Sequence, residues 1–312
     1  MKLVQFKYVF TALLPILVVA VYSIIFKINI IEIVRSLTPI IILAFVLSYL
    51  GQILVIALRD KKIVGVSFYT AFKARLLGNS IGLILPGWVG QELTRATVYS
   101  KEHVELIQGF SLSLLEAYYD VTVGSLMFLV LLPIRFIAIE LIYIFITIGN
   151  IIGWSLGLAY VYTTAGKSIR IEKSIVKLIG LDKYYFVLNK GKQAMKDKIE
   201  GKNFITYFSL TVLGYLVQSL SFLAMVSDYF KDILINMTFF AATLFPIPGA
   251  SGVSEIAFSL FLPPHFVVAA VVLELLDYFI GFIFIRDIDI NELKKEFYKI
   301  KKYGEFYQGS ES

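Results

Sequence analysis

Two short runs carry the residues whose types and spacing could do chemistry. The first, Leu85–Arg95, reads Leu-Pro-Gly-Trp-Val-Gly-Gln-Glu-Leu-Thr-Arg; the second, Ile247–Glu255, reads Ile-Pro-Gly-Ala-Ser-Gly-Val-Ser-Glu. Pro86, Gly87, Gly90 and Glu92 answer to Pro248, Gly249, Gly252 and Glu255. The spacing is Pro-Gly-x-x-Gly-x-Glu in one and Pro-Gly-x-x-Gly-x-x-Glu in the other. A Pro-Gly break in an apolar helix frees backbone N–H and C=O groups. The new helix N-terminus carries partial positive charge and open amides, which suit a phosphate or a carboxylate. Glycine lets backbones approach closely. Arg95 adds a cation to the first run. An acidic pair follows each run: Glu116 and Asp120 at i,i+4, then Glu274 and Asp277 at i,i+3, each pair sharing one helix face.

These charges sit in or beside apolar segments. One charge at the bilayer centre costs at least ~2.5–3.5 kcal/mol. Glu92, Arg95, Glu116, Asp120, Glu255, Glu274 and Asp277 must therefore pair, protonate or line a wet cavity. For Asp277, near a helix end, snorkelling to the interface stands as an alternative to a functional role. Together the runs would offer an anion-binding end, with Arg95, beside the carboxylates Glu116, Asp120 and Glu255. That combination suits a zwitterionic or amino-bearing phosphate headgroup and allows proton coupling.

Other chemistries find little support. The chain has no cysteine, so disulfides, thiolate metal sites and cysteine nucleophiles are excluded. His103 and His265 are far apart, so neither a metal site nor a cofactor is expected. There is no P-loop, no His-Glu-x-x-His and no Gly-x-Ser-x-Gly. The net charge is +6, but the basic residues cluster in loops and read as membrane topology, not nucleic-acid binding.

The elements that must position these residues are membrane helices. The 312 residues are 58% hydrophobic and 17% charged, with mean hydropathy +0.79; soluble domains carry about 25% charged residues. Spans are expected at Tyr8–Phe26, Ser36–Leu58, Leu106–Ile134, Leu141–Gly166, Asn203–Ser227 and His265–Ile285. Leu76–Gln91 is too short and too glycine-broken for a span of ~20 residues. It reads as a re-entrant helix pair, and Ile233–Leu262 reads as a second. Gly124, Gly149, Gly153 and Gly157 are expected at close helix packing. The stretch Thr164–Asn203 carries ten Lys/Arg and four acids. Ile171, Ile175, Leu178 and Ile179 have helical spacing there, which predicts an amphipathic surface helix.

By the positive-inside rule Arg59–Arg75, Thr164–Asn203 and the tail 286–312 are expected in the cytoplasm. Six spans of the cell membrane then leave both termini in the cytoplasm. The two broken runs enter from opposite faces, as inverted repeats do. The fold class is an all-α polytopic bundle, with one domain over 1–285.

At these residues the chain resembles the transmembrane region of lysylphosphatidylglycerol synthases, a flippase-like integral membrane family. The likeness rests on Asn79, Leu85-Pro86-Gly87, Gly90, Glu92 and Arg95, then Glu116 and Asp120, then Phe245-Pro246-Ile247-Pro248-Gly249, Gly252 and Glu255. It covers roughly residues 8–285. It implies two re-entrant hairpins and lipid translocation, with those residues at the substrate. The second run departs from the family in reading Pro-Gly-Ala-Ser-Gly where Pro-Gly-Gly-x-Gly is common. Only 27 residues follow Ile285, so the chain is not expected to aminoacylate lipid itself. It is also similar to the membrane halves of some archaeal dolichol-phosphate-dependent glycosyltransferases. The expectation is a flippase for a polar or aminoacylated lipid. The alternatives are an enzyme or accessory subunit on isoprenoid-phosphate lipids, and a scaffold without transport. A membrane lipid is the expected partner, together with a separate soluble lipid-modifying enzyme or further copies of the chain.

Overall fold

A computed structural model describes residues 2–84, 88–132, 140–178, 185–199, 201–245, 247 and 250–288. The described residues are all-helical. In chain order the helices are α1 Lys2–Ile25, α2 Ile30–Ser36, α3 Pro39–Val64, α4 Phe68–Ile84, α5 Trp88–Ser100, α6 Leu106–Leu131 and α7 Glu140–Thr164. There follow α8 Arg170–Leu178, α9 Tyr185–Lys196, α10 Gly201–Ser219, α11 Leu223–Val226, α12 Tyr229–Thr243, α13 Val253–Ser259 and α14 Pro264–Phe279. A 3₁₀ stretch, Ile280–Asp287, extends α14.

Among the described residues, five helical stretches are long and apolar enough to cross a membrane: Pro39–Val64, Leu106–Leu131, Leu141–Thr164, Gly201–Val226 and Pro264–Asp287. In α1 the apolar stretch is the shorter Leu13–Ile25. Helix α3 departs from the expected Ser36–Leu58. Thr38 caps it by accepting from the Ile41 amide, and Pro39 stands at its first turn. It then runs on past Arg59 and Asp60 and stops at Gly65, whose φ of 88° suits a left-handed C-terminal cap.

The two broken runs each fold into an antiparallel helix pair. In the first, Gly82 of α4 lies against Gln91 of α5, and Gly78 lies against Arg95. Both pairs are equidistant in sequence from the Pro86–Gly87 junction. In the second, Phe239 of α12 stacks on Phe258 of α13 with ring centroids 4.9 Å apart. That pair is equidistant from the Pro248–Gly249 junction. The four junction residues lie outside the described residues. Helix α4 is unbroken through Gly78 and Gly82, contrary to the expected glycine break. Those glycines give room to the second arm: a Cβ on Gly78 would stand 2.9 Å from Arg95 Cγ.

The core forms several patches. Phe45, Phe222, Ile235, Phe258 and Val271 pack α3, α12, α13 and α14 together. Ala74, Leu77, Tyr99, Leu115 and Tyr119 join α4, α5 and α6. Outward-facing apolar side chains such as Ile40, Leu47 and Phe145 remain exposed, as lipid-facing side chains do. Gly124 packs against Phe240 as expected, but around Gly149, Gly153 and Gly157 a Cβ would meet nothing within 4 Å. That stripe of α7 is open, so the expected close packing is absent there.

The basic stretch forms α8 and α9. Helix α9 packs on α6 and α7 and buries Lys192, which meets the buried Glu172 of α8 at 2.7 Å. Tyr185 donates to the same carboxylate at 2.8 Å, and Tyr160 also donates to it. Burial opposes the charge on Glu172, but these donors, Lys192 foremost, hold its carboxyl below the usual range. Ile171, Ile175 and Leu178 face outward as the spacing predicted.

Candidate functional site

A cavity of about 260 Å³ lies where the two helix pairs meet. Arg75, Asn79, Gly82, Gln91, Glu92 and Arg95 line it from the first pair. Phe239, Phe240, Thr243, Phe245, Ile247 and Ala250 line it from the second pair and the run between its helices. Asp120 of α6, Gln52 of α3, Gln218 of α10 and Tyr278 close the remaining sides. One wall is therefore charged and the facing wall is mostly aromatic and aliphatic.

The charged wall is the front of a buried network. Arg59 donates to Asp60 at 2.8 Å, to Asp120 at 2.7 Å and to Thr211 at 2.7 Å. Arg75 donates from Nε to the other Asp60 oxygen at 2.9 Å and from Nη1 to the other Asp120 oxygen at 2.6 Å. Each arginine thus bridges the same two aspartates. Glu116, fully buried behind the cavity, accepts from Tyr99 at 2.8 Å. Arg75 and Arg95 stand 3.7 and 3.5 Å from its other oxygen. Three arginines face four acids, so the formal imbalance is one negative charge. Near-balance is what makes such burial tolerable, because an unpaired interior charge costs several kcal/mol.

Arg95 is held differently from the other two. Its contacts are long: 3.3 and 3.4 Å to the Glu92 oxygens, 3.2 Å to Asn79 and 3.5 Å to Glu116. Its Nε has no partner although the side chain is 2% exposed. Asn79 in turn donates to Tyr49 at 3.3 Å. Arg59 and Arg75 are committed to their aspartates by short bonds; Arg95 is buried at the cavity wall on stretched ones.

The structure brings together Asn79, Glu92, Arg95 and Asp120 at the cavity, with Glu116 one layer behind. Gly90 is buried in α5, and its carbonyl accepts from Thr94. Pro86, Gly87, Pro248 and Gly249 lie outside the described residues. Glu255 is elsewhere: its carboxylate accepts from the Gly252 amide at 2.7 Å and from Ser254 at 2.8 Å. It caps the N-terminus of its own helix, as an N3 glutamate does. Gly252, at φ 85°, adopts the left-handed backbone that glycine permits. The amide expected to meet an anion is therefore already occupied, and Glu255 does not line the cavity.

Two further expectations change. Asp277 is 2% exposed and does not snorkel. Arg59 and Arg75, expected in a cytoplasmic loop, are buried in the network. The apolar run ends at Leu58, but α3 does not; the helix carries Arg59 and Asp60 inward, where Asp120 and Thr211 complete them. The signal was present in Gly65, a C-terminal helix stop six residues beyond Arg59. Tyr99, Thr211, Gln218 and Asn236 carried no comparable signal.

Among the described residues, fold and network together define an all-helical architecture with five helices long and apolar enough to cross a membrane and a polar cavity between two antiparallel helix pairs. No protein-family model, characterised protein or solved structure matches the chain.

Proposed function

We propose that the chain is a multi-pass lipid translocator of the cell membrane, and that the cavity receives the phosphate-bearing headgroup of a polar or aminoacylated lipid. The carrying observation is Arg95. It is a buried guanidinium at the cavity wall on contacts of 3.2–3.5 Å, so an entering phosphate offers it shorter, charge-assisted bonds. Glu92, i,i+3 from Arg95, is then released to meet an amine on the same headgroup. Asp120, Arg59 and Arg75 hold the wall in place. The cavity, about 260 Å³, is at the small end of ligand sites and suits a headgroup whose tails stay in lipid.

In this reading the two helix pairs are re-entrant and enter from opposite faces as inverted repeats. Helices of 17 and 15 residues in α4 and α12 are short of the ~20 a span needs, which supports it. The basic stretch of α8 and α9 supports a cytoplasmic setting for that face and for both termini in this reading. The likeness to the lysylphosphatidylglycerol synthase transmembrane region fits the same reading. Purified protein in liposomes should move a labelled phospholipid between leaflets, and Arg95→Ala should abolish the movement while the protein still folds. Undiminished movement in Arg95→Ala would sink the site. Turnover of an isoprenoid-phosphate donor without lipid movement would instead favour an enzyme.

A further inference from the structure

The buried acids of the two halves are compensated very differently. Asp60, Glu92, Glu116 and Asp120 share three arginines. Asp232, Glu255, Glu274 and Asp277 are all buried, more so than Asp120, and among the described residues none has a Lys, Arg or His nitrogen within 4.0 Å. Glu255 has one oxygen, Oε2, satisfied by its amide and serine donors, and its Oε1 is left without one. Asp232 is the extreme case: it is 0% exposed, and neither carboxylate oxygen has a hydrogen-bond partner.

No structural role accounts for Asp232. Helix α12 already has its cap, since Asp228 accepts from the Phe230 and Lys231 amides. The helix dipole near an N-terminus is worth about 0.3–1 kcal/mol, against a desolvation penalty of several kcal/mol for a buried ion. Lys231 is the adjacent residue, and i,i+1 side chains on a helix do not face each other. The titratable neighbours of Asp232 on its own element are Tyr229 and Asp228, and Asp228 adds only negative charge. The elements packed against α12 carry Glu116 and Asp120 on α6, Tyr215 on α10, Tyr143 on α7 and Glu255 on α13. None supplies a cation.

A second orphan lies one turn on. Asn236 donates through Nδ2 to the Tyr215 carbonyl at 3.2 Å and to Ser219 at 3.1 Å, which fixes the orientation of its amide. Its Oδ1 is left buried without a donor. Asp232 and Asn236 are i,i+4, so they share one face of α12. Three buried acceptor oxygens thus stand along one helix face with no hydrogen between them. One proton answers both deficits: it neutralises the carboxyl and supplies the missing donor.

We propose that Asp232 and Asn236 form a proton-binding site of α12. Three orphan oxygens are few for a metal cation in a dry site, where Na⁺ would need further ligands, whereas a single proton is sufficient. Asn236 also lines the cavity. Loading or unloading Asp232 therefore acts one helical turn from Asn236 at the cavity wall, and two to three turns from Phe239, Phe240 and Thr243 on the same helix. This coupling rests on the cavity being the substrate site; the proton site does not.

The test is infrared spectroscopy of the full chain in nanodiscs with ¹³C-labelled aspartate. The wild-type protein at neutral pH should show a protonated aspartic acid C=O band that disappears on raising the pH. Asp232→Asn should lose that band and Asp277→Asn should retain it. Wild-type protein without such a band, or a band unchanged in Asp232→Asn, overturns the proposal. So does a band removed by Na⁺ but not by K⁺ at equal ionic strength, which would make this a metal-cation site. If Asp232→Asn does not fold, the Asp277→Asn protein decides alone: a persisting band supports Asp232 and its absence overturns it. Lipid movement is assayed on the same samples. The band without lipid movement leaves the proton site standing and removes the translocator reading; lipid movement without the band does the reverse.

Discussion

Arg59 and Asp120 stand 2.7 Å apart on α3 and α6, both in a network that also ties α4 and α10 through Arg75 and Thr211. Neither arginine can be spared without leaving a buried carboxylate short of its charge. Arg59→Met should therefore destabilise the protein by about 3–5 kcal/mol in reversible unfolding. A double-mutant cycle with Asp120→Asn should give a coupling of about 1–3 kcal/mol. Additive effects would show that the pair is idle.

Arg95 should behave differently from Arg59, because its bonds are long. Arg95→Ala should cost less stability than Arg59→Met but weaken capture of a phosphate headgroup by about 10- to 100-fold, the worth of a charge-assisted hydrogen bond. Arg95→Lys, which keeps the charge and loses the planar fork, should fall between. Titration of labelled lipid into nanodisc samples reads both.

Glu255 offers a control on the site. Glu255→Gln should lower stability by about 0.5–2 kcal/mol through the weakened cap on α13. Headgroup binding should be unchanged, because the side chain does not line the cavity. A loss of binding equal to that of Arg95→Ala would return Glu255 to the site.

The glycines separate into close contacts and open ones. A Cβ on Gly281 would collide with the Leu76 backbone, which cannot swing aside, so Gly281→Ala should cost about 1–3 kcal/mol. At Gly153 the space is open, and the same change should stabilise α7 by up to about 1 kcal/mol through helix propensity. Thermal unfolding of the two variants should shift in opposite directions.

Glu172 carries a pH dependence. Its carboxyl in the folded chain lies below the ordinary value of about 4.3, so its contribution is complete above that value and is lost as the pH falls through the folded value. Wild-type thermal stability should drop on acidification below about pH 4.5, and Glu172→Gln should show a smaller drop. At neutral pH Glu172→Gln should itself cost about 3–5 kcal/mol, since Lys192 is left buried without its counter-charge.

The helical membrane class follows from hydropathy alone, because each bilayer helix satisfies its own backbone bonds and needs only a long apolar run. Local signals also suffice for the two Pro-Gly runs, the outward face of α8 and the acidic pair on α6. Asn79, Glu92, Arg95 and Asp120 were within reach of motif reading. What one-dimensional reading could not decide was partnership. Arg59 and Arg75 look like loop charges until Asp60 and Asp120 are placed beside them. Glu255 looks like a site residue until the Gly252 amide is seen to occupy it. Asp277 looks free to reach the interface until its burial against the bundle is known. A charge in an apolar segment declares only that something must compensate it. Whether that is an arginine two helices away, a backbone amide three residues back or a proton is set by which helices touch, and that is decided only in three dimensions.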